Sequence, residues 1–353
     1  MKSETIPVRP DERFDEQALA SYLRDHLDGA DQPLVVEQFP GGAANLTYLL
    51  RFGDREYVLR RPPLGPVAPK SHDMGREYQV LSVLHQQFKY APRAYHFCDT
   101  PEIIGAPFLI MERTQGTVVR RTMPQNFAAM PDAPRLMSEA MVDRLADFHA
   151  VDFESLGLGD LGKPQGFVQR QIDGWYGRWE KAKVDESPEF EALYQWLQAN
   201  QPPENPPTLL HNDYKLDNLM LKDDDPSEIV AIFDWDMCTL GDPLVDLGTL
   251  LAYWTDESDP PFYSGLLGMP SAEDYQFLSR QALIRRYAER SGRPVDNILF
   301  YHVLALYRVV VIIAQIYVRY HRGQTQDARF ASFLEIVPVI ATYAHDVATG
   351  KAR

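Results

Sequence analysis

The sequence has little cysteine and no cluster of metal-binding thiols. Its 353 residues include two cysteines, Cys98 and Cys238, and neither belongs to a Cys-x-x-Cys pair or a His/Cys group. This pattern excludes a disulfide framework and a thiolate zinc site, and it is typical of a reducing compartment. We therefore expect a cytoplasmic protein.

Long apolar runs are also lacking. The first residues, MKSETIPVRPDERF, contain no apolar stretch of the kind found in a secretory signal. The most apolar segment, residues 303–318, is shorter than the roughly 20 residues of a membrane span, and Arg308 interrupts it. We expect a buried helix there and no membrane partner.

Positive charge is in deficit. The formal net charge of −15 argues against binding to nucleic acid or to an anionic surface, because both require a basic face. Ten acidic residues and only two lysines fall within residues 213–246. Such a dense cluster is either a solvated acidic loop or a cation site. The run Asp223, Asp224 and Asp225 fits the first, and we assign it no function.

The first third of the chain alternates β-rich runs with turn signals. Residues 34–39, 46–52 and 55–61 predict three consecutive antiparallel strands, and residues 94–99 and 107–113 predict two more. Residues 73–88 have the apolar spacing of a helix. The remainder is mainly helical. We predict an α+β fold with a five-stranded antiparallel β lobe (residues 1–112) and a larger helical lobe (residues 113–353).

Within the helical part, the runs NLMLK and IVAIFDWD flank the turn-forming DDDPSE and predict a β-hairpin. Centring the turn on Pro226 brings Asn218 beside Asp234, and their oxygens are ligands that suit Mg²⁺. Asp213 and Lys215 lie on the loop that enters the hairpin. A metal site with a nearby carboxylate and a cation is suited to phosphoryl transfer.

The stretch HNDYKLDN has the form H-x-D-x-K-x-x-N, which is similar to the catalytic loop of eukaryotic-type kinases. With IFDWD and GDPLVDLG it resembles the aminoglycoside phosphotransferase and choline kinase branch of the protein-kinase-like superfamily. The sequence also resembles a subgroup related to kinase domains fused to acyl-CoA dehydrogenases. Neither D-F-G nor A-P-E is present, so a protein substrate is disfavoured.

The resemblance implies roles for the matched residues. Asp213 would be the catalytic base that orients the acceptor hydroxyl, and Lys215 would neutralise charge on the γ-phosphate. Asn218 and Asp234 would hold Mg²⁺. The alternative, that these are ordinary turn or cap residues, does not account for their spacing.

Further residues would support this centre. His211 would stabilise the loop from within the core, and Asp246 would brace it through hydrogen bonds to its backbone. Asp236 is of uncertain role, in contact with metal or substrate. His149 is interpreted as a structural histidine. Trp175, Trp179 and Trp254 are interpreted as core residues by default, with the lining of a substrate pocket as the alternative.

The resemblance places the nucleotide, ATP or GTP, in the β lobe. Gly41 and Gly42 would permit a close approach of the backbone to phosphate, and Asn45 would add a side-chain contact. Arg60 stands where kinases have a lysine, and Glu77 would be its helix partner. An ordinary ion pair between these two residues is the competing interpretation. Arginine keeps the charge but changes the geometry toward phosphate.

The connector between the lobes would bind the adenine base. Met111, Glu112 and Arg113 would supply backbone hydrogen bonds. The sequence thus predicts an ATP- and Mg²⁺-dependent kinase for the hydroxyl group of a small molecule, a hydroxyacyl-CoA or else an aminoglycoside. A non-catalytic nucleotide-binding scaffold is the alternative of another class, and the oligomeric state is left open.

Overall fold

The structure is a computed structural model and describes residues 4–40, 45–63, 73–260, 262–263, 269–270, 274–324 and 328–352. By packing, the chain divides into two compact units. The first unit comprises Met1–Thr117, Leu219–Lys222 and Ile229–Cys238, and the second comprises Val118–Asn218, Asp223–Glu228 and Thr239–Arg353. The sequence-based ranges 1–112 and 113–353 stay a prediction; the packing groups much of the hairpin with the first unit.

A five-stranded sheet forms most of the first unit. Its strands are β1 (Leu34–Gln38), β2 (Leu46–Phe52), β3 (Arg55–Arg61), β4 (Ala94–Cys98) and β5 (Phe108–Glu112). The order is β1-β2-β3-β5-β4, and every neighbouring pair is antiparallel. The predicted sheet is therefore confirmed, including the tight turn between β2 and β3.

Two helices belong to this unit, α1 (Glu16–Leu23) and α2 (Met74–Leu84). The sequence analysis predicted α2 but not α1. Asp15 caps the N-terminus of α1, and its carboxylate accepts hydrogen bonds from the amides of Gln17 and Ala18. Apolar side chains of α1 are buried against the sheet. The core there contains Leu19, Leu23, Leu46, Tyr48, Leu50, Phe52, Leu59, Phe108 and Ile110.

The second unit is mainly helical. Its described helices are α3 (Gln125–Ala128), α4 (Ala133–Phe148), α5 (Phe167–Ala182), α6 (Pro188–Ala199), α7 (Leu244–Ala252), α8 (Arg280–Ser291), α9 (Ile298–His321) and α10 (Phe333–Ala348). Helix α7 approaches α9 closely, because a Cβ atom added at Gly248 would lie 2.4 Å from the carbonyl oxygen of Tyr301. Glycine thus permits a contact between two helix backbones.

The apolar segment 303–318 lies within α9, as predicted. Two described segments, Ile298–His321 and Arg329–Ala348, are long and apolar enough to cross a membrane by length and composition alone. In the first, 78% of the apolar window is buried inside the protein, and in the second 28%. The first is therefore the central helix of the second unit's core.

The short strands of the motif region are β6 (Thr117–Val118), β7 (Thr208–Leu210), β8 (Leu219–Lys222), β9 (Asp225–Ile232) and β10 (Thr239–Gly241). Strands β7 and β10 pair with each other, and β6, β8 and β9 form a small sheet. The predicted hairpin is present, but its turn is at Asp223–Asp224, and Pro226 lies inside β9. The symmetry about Pro226 that set Asn218 opposite Asp234 was therefore wrong.

Candidate active site

In the first unit, Arg60 joins two acidic residues far apart in the sequence. Its guanidinium, on β3, pairs with the carboxylate of Glu77 on α2 and with that of Asp234, just beyond β9. The Arg60 side chain is 8% exposed and that of Glu77 is 1% exposed. Because a buried charge must be paired, this triad is a fixed part of the fold.

Three acidic residues influence the ionisation of Arg60. Burial raises the pKa of Glu77 to about 7 against the opposing effect of Arg60, and Asp234 and Asp236 raise it further. Burial lowers the pKa of Arg60, but the three carboxylates outweigh it and hold the pKa above its ordinary value. Glu77 Oε2 is buried and has no hydrogen-bond partner among the described residues. The Arg60 guanidinium thus pairs with the carboxylates of Glu77 and Asp234 and is stabilised electrostatically by Asp236 as well.

Asp234 also has an unusual backbone. Its φ is 72°, in the left-handed region, which a non-glycine residue occupies at a cost. Among the described residues other than glycine, only Asn212, with φ 64°, shares this conformation. The two positions lie at the IFDWD and HNDYKLDN motifs, so both departures from ordinary geometry occur where chemistry was predicted.

In the second unit, Asp213 is held by two neighbours on the 211–218 loop. Asn218 Nδ2 donates to both the main-chain oxygen and Oδ2 of Asp213, each at 2.8 Å. Lys215 Nζ lies 3.2 Å from the same Oδ2. The Asp213 side chain remains 22% exposed. A carboxylate is therefore fixed in direction while solvent, or a substrate, still reaches it.

Lys215 is set in an acidic and aromatic environment. Its ammonium group lies 3.9 Å from Asp217 Oδ1 and 5.1 Å from the centre of the Tyr253 ring. Burial lowers the pKa of Lys215, but Asp213, Tyr253 and Asp217 more than offset this and raise it above its ordinary value. Lys215 is therefore a permanent cation beside Asp213.

Asp246, on the first turn of α7, contacts the backbone of the 211–218 loop. It is fully buried, and its two oxygens accept from the backbone amides of His211 (2.6 Å) and Asn212 (2.7 Å). His149 Nε2 lies 3.3 Å from Asp246 Oδ2, and its Nδ1 lies 2.7 Å from the Tyr287 hydroxyl. Two backbone amides and one imidazole thus satisfy a buried carboxylate.

Arg308 is a residue that the sequence analysis missed. It is 5% exposed, and it donates to the main-chain oxygen of Asn212 (2.9 Å) and to Thr249 Oγ1 (3.4 Å). Its guanidinium also lies 5.4 Å from the centre of the Trp175 ring. An arginine inside an apolar helix was the available signal, since a buried cation requires partners.

The structure describes only some of the residues that were predicted to bind the nucleotide. Gly41 and Gly42 lie outside the described residues, and Asn45 is buried immediately before β2. Met111 is inside β5, and the Glu112 amide donates to the main-chain oxygen of Arg93 (2.8 Å). The Glu112 amide therefore already has a hydrogen-bond acceptor within the protein.

The side chain of Arg113 joins the connector to the N-terminal segment. Its guanidinium pairs with Glu4 and lies 5.2 Å from the centre of the Phe39 ring. The Arg113 side chain is 10% exposed. The connector is thereby fixed to the residues that precede the glycine pair.

The predicted metal ligands Asn218 and Asp234 belong to different units, and their common site stays a prediction. Within the described part of the chain, no group of three or more His, Cys, Asp and Glu side chains is placed to hold a metal ion. The sequence-predicted set has only one carboxylate and one amide, so it falls outside that kind of cluster.

A family model described as "Phosphotransferase enzyme family" (APH) matches residues 35–279. Acyl-CoA dehydrogenase family member 10 of Mus musculus is 31% identical over 355 residues, covering 98% of this chain and 32% of that protein. The chain spans between 32% and 44% of the length of the first curated relatives it matches.

Two solved structures show the same architecture. A Ralstonia eutropha protein provisionally assigned as an aminoglycoside phosphotransferase has 29% identity and a TM-score of 0.80, covering 97% of this chain and all of that one. Aminoglycoside phosphotransferase APH(4)-Ia, in complex with AMP-PNP and hygromycin B, has 15% identity and a TM-score of 0.60, covering 94% and 99%. The predicted resemblance and the α+β, protein-kinase-like fold are confirmed.

Proposed function

Because this chain belongs to the phosphotransferase enzyme family, we propose that it transfers the γ-phosphate of ATP, with Mg²⁺, to a hydroxyl group of a small molecule. One observation carries the proposal. Asp213 is a partly exposed carboxylate that Asn218 and Lys215 hold in place on a loop stabilised from the core. A positioned carboxylate beside a permanent cation is suited to accept a proton from an attacking alcohol.

We infer separate tasks for the two oxygens of Asp213. Oδ2 accepts from Asn218 and pairs with Lys215, so Oδ1 is the atom directed to the acceptor hydroxyl. Asp213 orients that hydroxyl and takes its proton as the oxygen attacks phosphorus. Lys215 stabilises the charge that develops on the transferred group.

We infer that Asn218 and Asp234 would hold the divalent cation. The Asn218 amide donates through Nδ2, and its oxygen is therefore the end that suits a hard cation. Asp234 would be the second ligand, and its carboxylate already pairs with the Arg60 guanidinium. When bound, Mg²⁺ neutralises phosphate charge and aligns the γ-phosphate.

For the acceptor we propose a hydroxyacyl-CoA. The curated relatives that match nearly the whole chain are acyl-CoA dehydrogenase family members, in which this region is joined to further sequence. The second candidate acceptor is an aminoglycoside, supported by the 29% identical structure. An assay panel of aminoglycosides, choline-like alcohols, sugars and hydroxyacyl-CoA thioesters separates these classes. Turnover with aminoglycosides alone would overturn the acyl-CoA proposal.

A non-catalytic nucleotide-binding scaffold is a candidate function of another class. The observation that favours it is the ion pair between Arg60 and Asp234, because it engages a proposed metal ligand. Thermal unfolding with ATP, with Mg²⁺ and with both together tests the two functions. Any ligand that binds only the folded state raises the melting temperature.

We expect a larger thermal shift with ATP and Mg²⁺ together than with either alone, followed by turnover in the acceptor panel. A nucleotide shift without turnover of any acceptor would favour the scaffold. No shift with any purine nucleotide would contradict both functions.

A further inference from the structure

Helix α5 carries an aromatic side chain between two arginines. Arg178 lies 4.3 Å from the centre of the Trp175 ring, and Arg308 of α9 lies 5.4 Å from the same ring. The indole is 5% exposed, and its Nε1 donates to Gln171 Oε1 (3.2 Å). The ring is therefore fixed in orientation and stabilises both cations through its π face.

The two arginines differ in their surroundings. Arg308 is buried and donates to the main-chain oxygen of Asn212, the residue before Asp213. Arg178 is exposed, and no acidic residue among those described contributes to its electrostatic surroundings. Its donors are thus available to a ligand, and Trp175 and Arg308 link it by contacts to the loop that carries Asp213.

The electrostatics of Arg178 agree with this geometry. Partial burial lowers the pKa of Arg178, and no neighbouring acid opposes the effect. Arg308, which is influenced by both Asp213 and Arg178, connects the two electrostatically. In a chain with a net charge of −15, an exposed arginine without an acidic partner among the described residues departs from the general pattern.

We propose that Arg178, stacked on Trp175, binds an anionic oxygen group of the acceptor, so that the enzyme selects negatively charged alcohols over cationic ones. A planar guanidinium offers two parallel donors, which match a phosphate or a carboxylate. A polycationic aminoglycoside would meet an unfavourable like charge at the same position. This inference rests on the proposed phosphotransferase function and specifies its acceptor.

Three matched probes test the proposal by calorimetry on the full chain with AMP-PNP and Mg²⁺ present. They are a hydroxyacyl-CoA thioester, the corresponding free hydroxy acid and its neutral methyl ester. The variants are Arg178→Gln, which removes the charge, and Arg178→Lys, which keeps the charge but not the planar fork. Lys181→Gln is the matched control, because Lys181 is an exposed cation on the same helix.

We expect a charged probe to bind the wild type and to bind Arg178→Gln about tenfold more weakly, as for a lost charge-assisted hydrogen bond. Arg178→Lys should recover part of this affinity, and Lys181→Gln should equal the wild type. Binding of the thioester alone identifies phosphate as the recognised group, and binding of the free acid as well identifies the carboxylate. Where a probe is turned over, KM should rise in Arg178→Gln while kcat stays within about twofold.

Equal binding of charged and neutral probes would overturn the proposal, as would binding of no charged probe. Equal losses of affinity for charged probes in Arg178→Gln and Lys181→Gln would indicate a general effect of the net charge. That outcome would also overturn the proposal. The proposed function is judged separately, by the thermal shift with ATP and Mg²⁺. That shift should be the same in Arg178→Gln as in the wild type.

Discussion

Arg308 donates from Nη2 to the main-chain oxygen of Asn212 at 2.9 Å, so a buried arginine on α9 fixes the residue that precedes Asp213. Asn212 also has a left-handed backbone, and its amide is bound by Asp246. The conformation of the loop is thus set by long-range contacts at both the amide and the carbonyl of one residue.

Arg308→Met should lower both stability and turnover. Removing the guanidinium leaves the Asn212 carbonyl buried without this donor, which costs about 1–3 kcal/mol of unfolding free energy. Urea unfolding measures the loss, and ATP turnover with an active acceptor measures the effect on Asp213. Arg319→Met is the control, because Arg319 is exposed on the same helix and should change stability by less than about 0.5 kcal/mol. Equal effects of the two substitutions would contradict the bracing role.

Asp213→Asn should remove turnover while leaving the fold intact. The amide keeps the shape but cannot accept the hydroxyl proton, and loss of a general base lowers kcat by about 10²–10⁴-fold. Turnover is followed as ADP release in the presence of an active acceptor, and the thermal shift with ATP and Mg²⁺ should persist. Asp223→Asn, in the exposed hairpin turn, should retain wild-type rates. Normal turnover in Asp213→Asn would refute the assignment of the base.

Gly248→Ala and Gly174→Ala should shift stability in opposite directions. The new methyl group at position 248 would meet the Tyr301 backbone at 2.4–2.6 Å, so α7 and α9 must separate, at about 1–3 kcal/mol or more. At position 174, on α5, an added Cβ atom would have no described atom within 4 Å outside the neighbouring backbone of its own helix, and alanine should stabilise the helix by about 0.5–1 kcal/mol. Unfolding free energies of the two variants check this, and a neutral Gly248→Ala would show that the helices do not approach so closely.

His302 should make the protein less stable in acid. Burial, together with Arg280, lowers the pKa of His302 to about 3, from 6.5 in the unfolded chain. Below about pH 6.5, His302 is protonated in the unfolded chain but stays neutral in the folded protein. The free energy of unfolding therefore falls as the pH decreases toward 3. At pH 5 the loss from this group is about 2 kcal/mol, and above pH 7 it is absent.

The measurement is the unfolding free energy of His302→Gln and of the wild type at pH 5 and at pH 7.5. Glutamine does not titrate, so the difference in stability between the two proteins should shift by about 2 kcal/mol in favour of the variant on acidification. A pH-independent difference in unfolding free energy would mean that His302 is protonated as readily in the folded protein as in the unfolded chain. His345→Gln, at the end of α10, controls for the general effect of removing a histidine.

The five-stranded sheet could be predicted because its information is local. Period-2 apolar runs and the Gly53-Asp54 turn place β2 beside β3 with the register Leu46 to Arg61. The hairpin was predicted but its turn was placed too late, since the three aspartates and Pro226 are all turn formers and propensity does not choose among them. Helix α1 is short, and its burial depends on a sheet that lies further along the chain.

The sequence predicted which residues form the candidate site better than it predicted the contacts between them. Spacing within the motif identified Asp213, Asn218 and Lys215, which the fold brings together. It did not predict that Arg60 pairs with Asp234, 174 residues away, nor that Arg308 donates to Asn212, 96 residues away. Such contacts depend on how distant elements pack, and no local pattern encodes them.

The position of Trp175 between a buried and an exposed arginine has a consequence for how the chain tolerates change. Arg308 contacts the loop of Asp213 from the core, where almost any replacement is costly, whereas Arg178 lies at the surface, where replacement costs little stability. Acceptor preference and catalytic competence are therefore open to selection separately. A library confined to the exposed positions of α5 should yield folded proteins with altered acceptor preference and an unaltered chemical step.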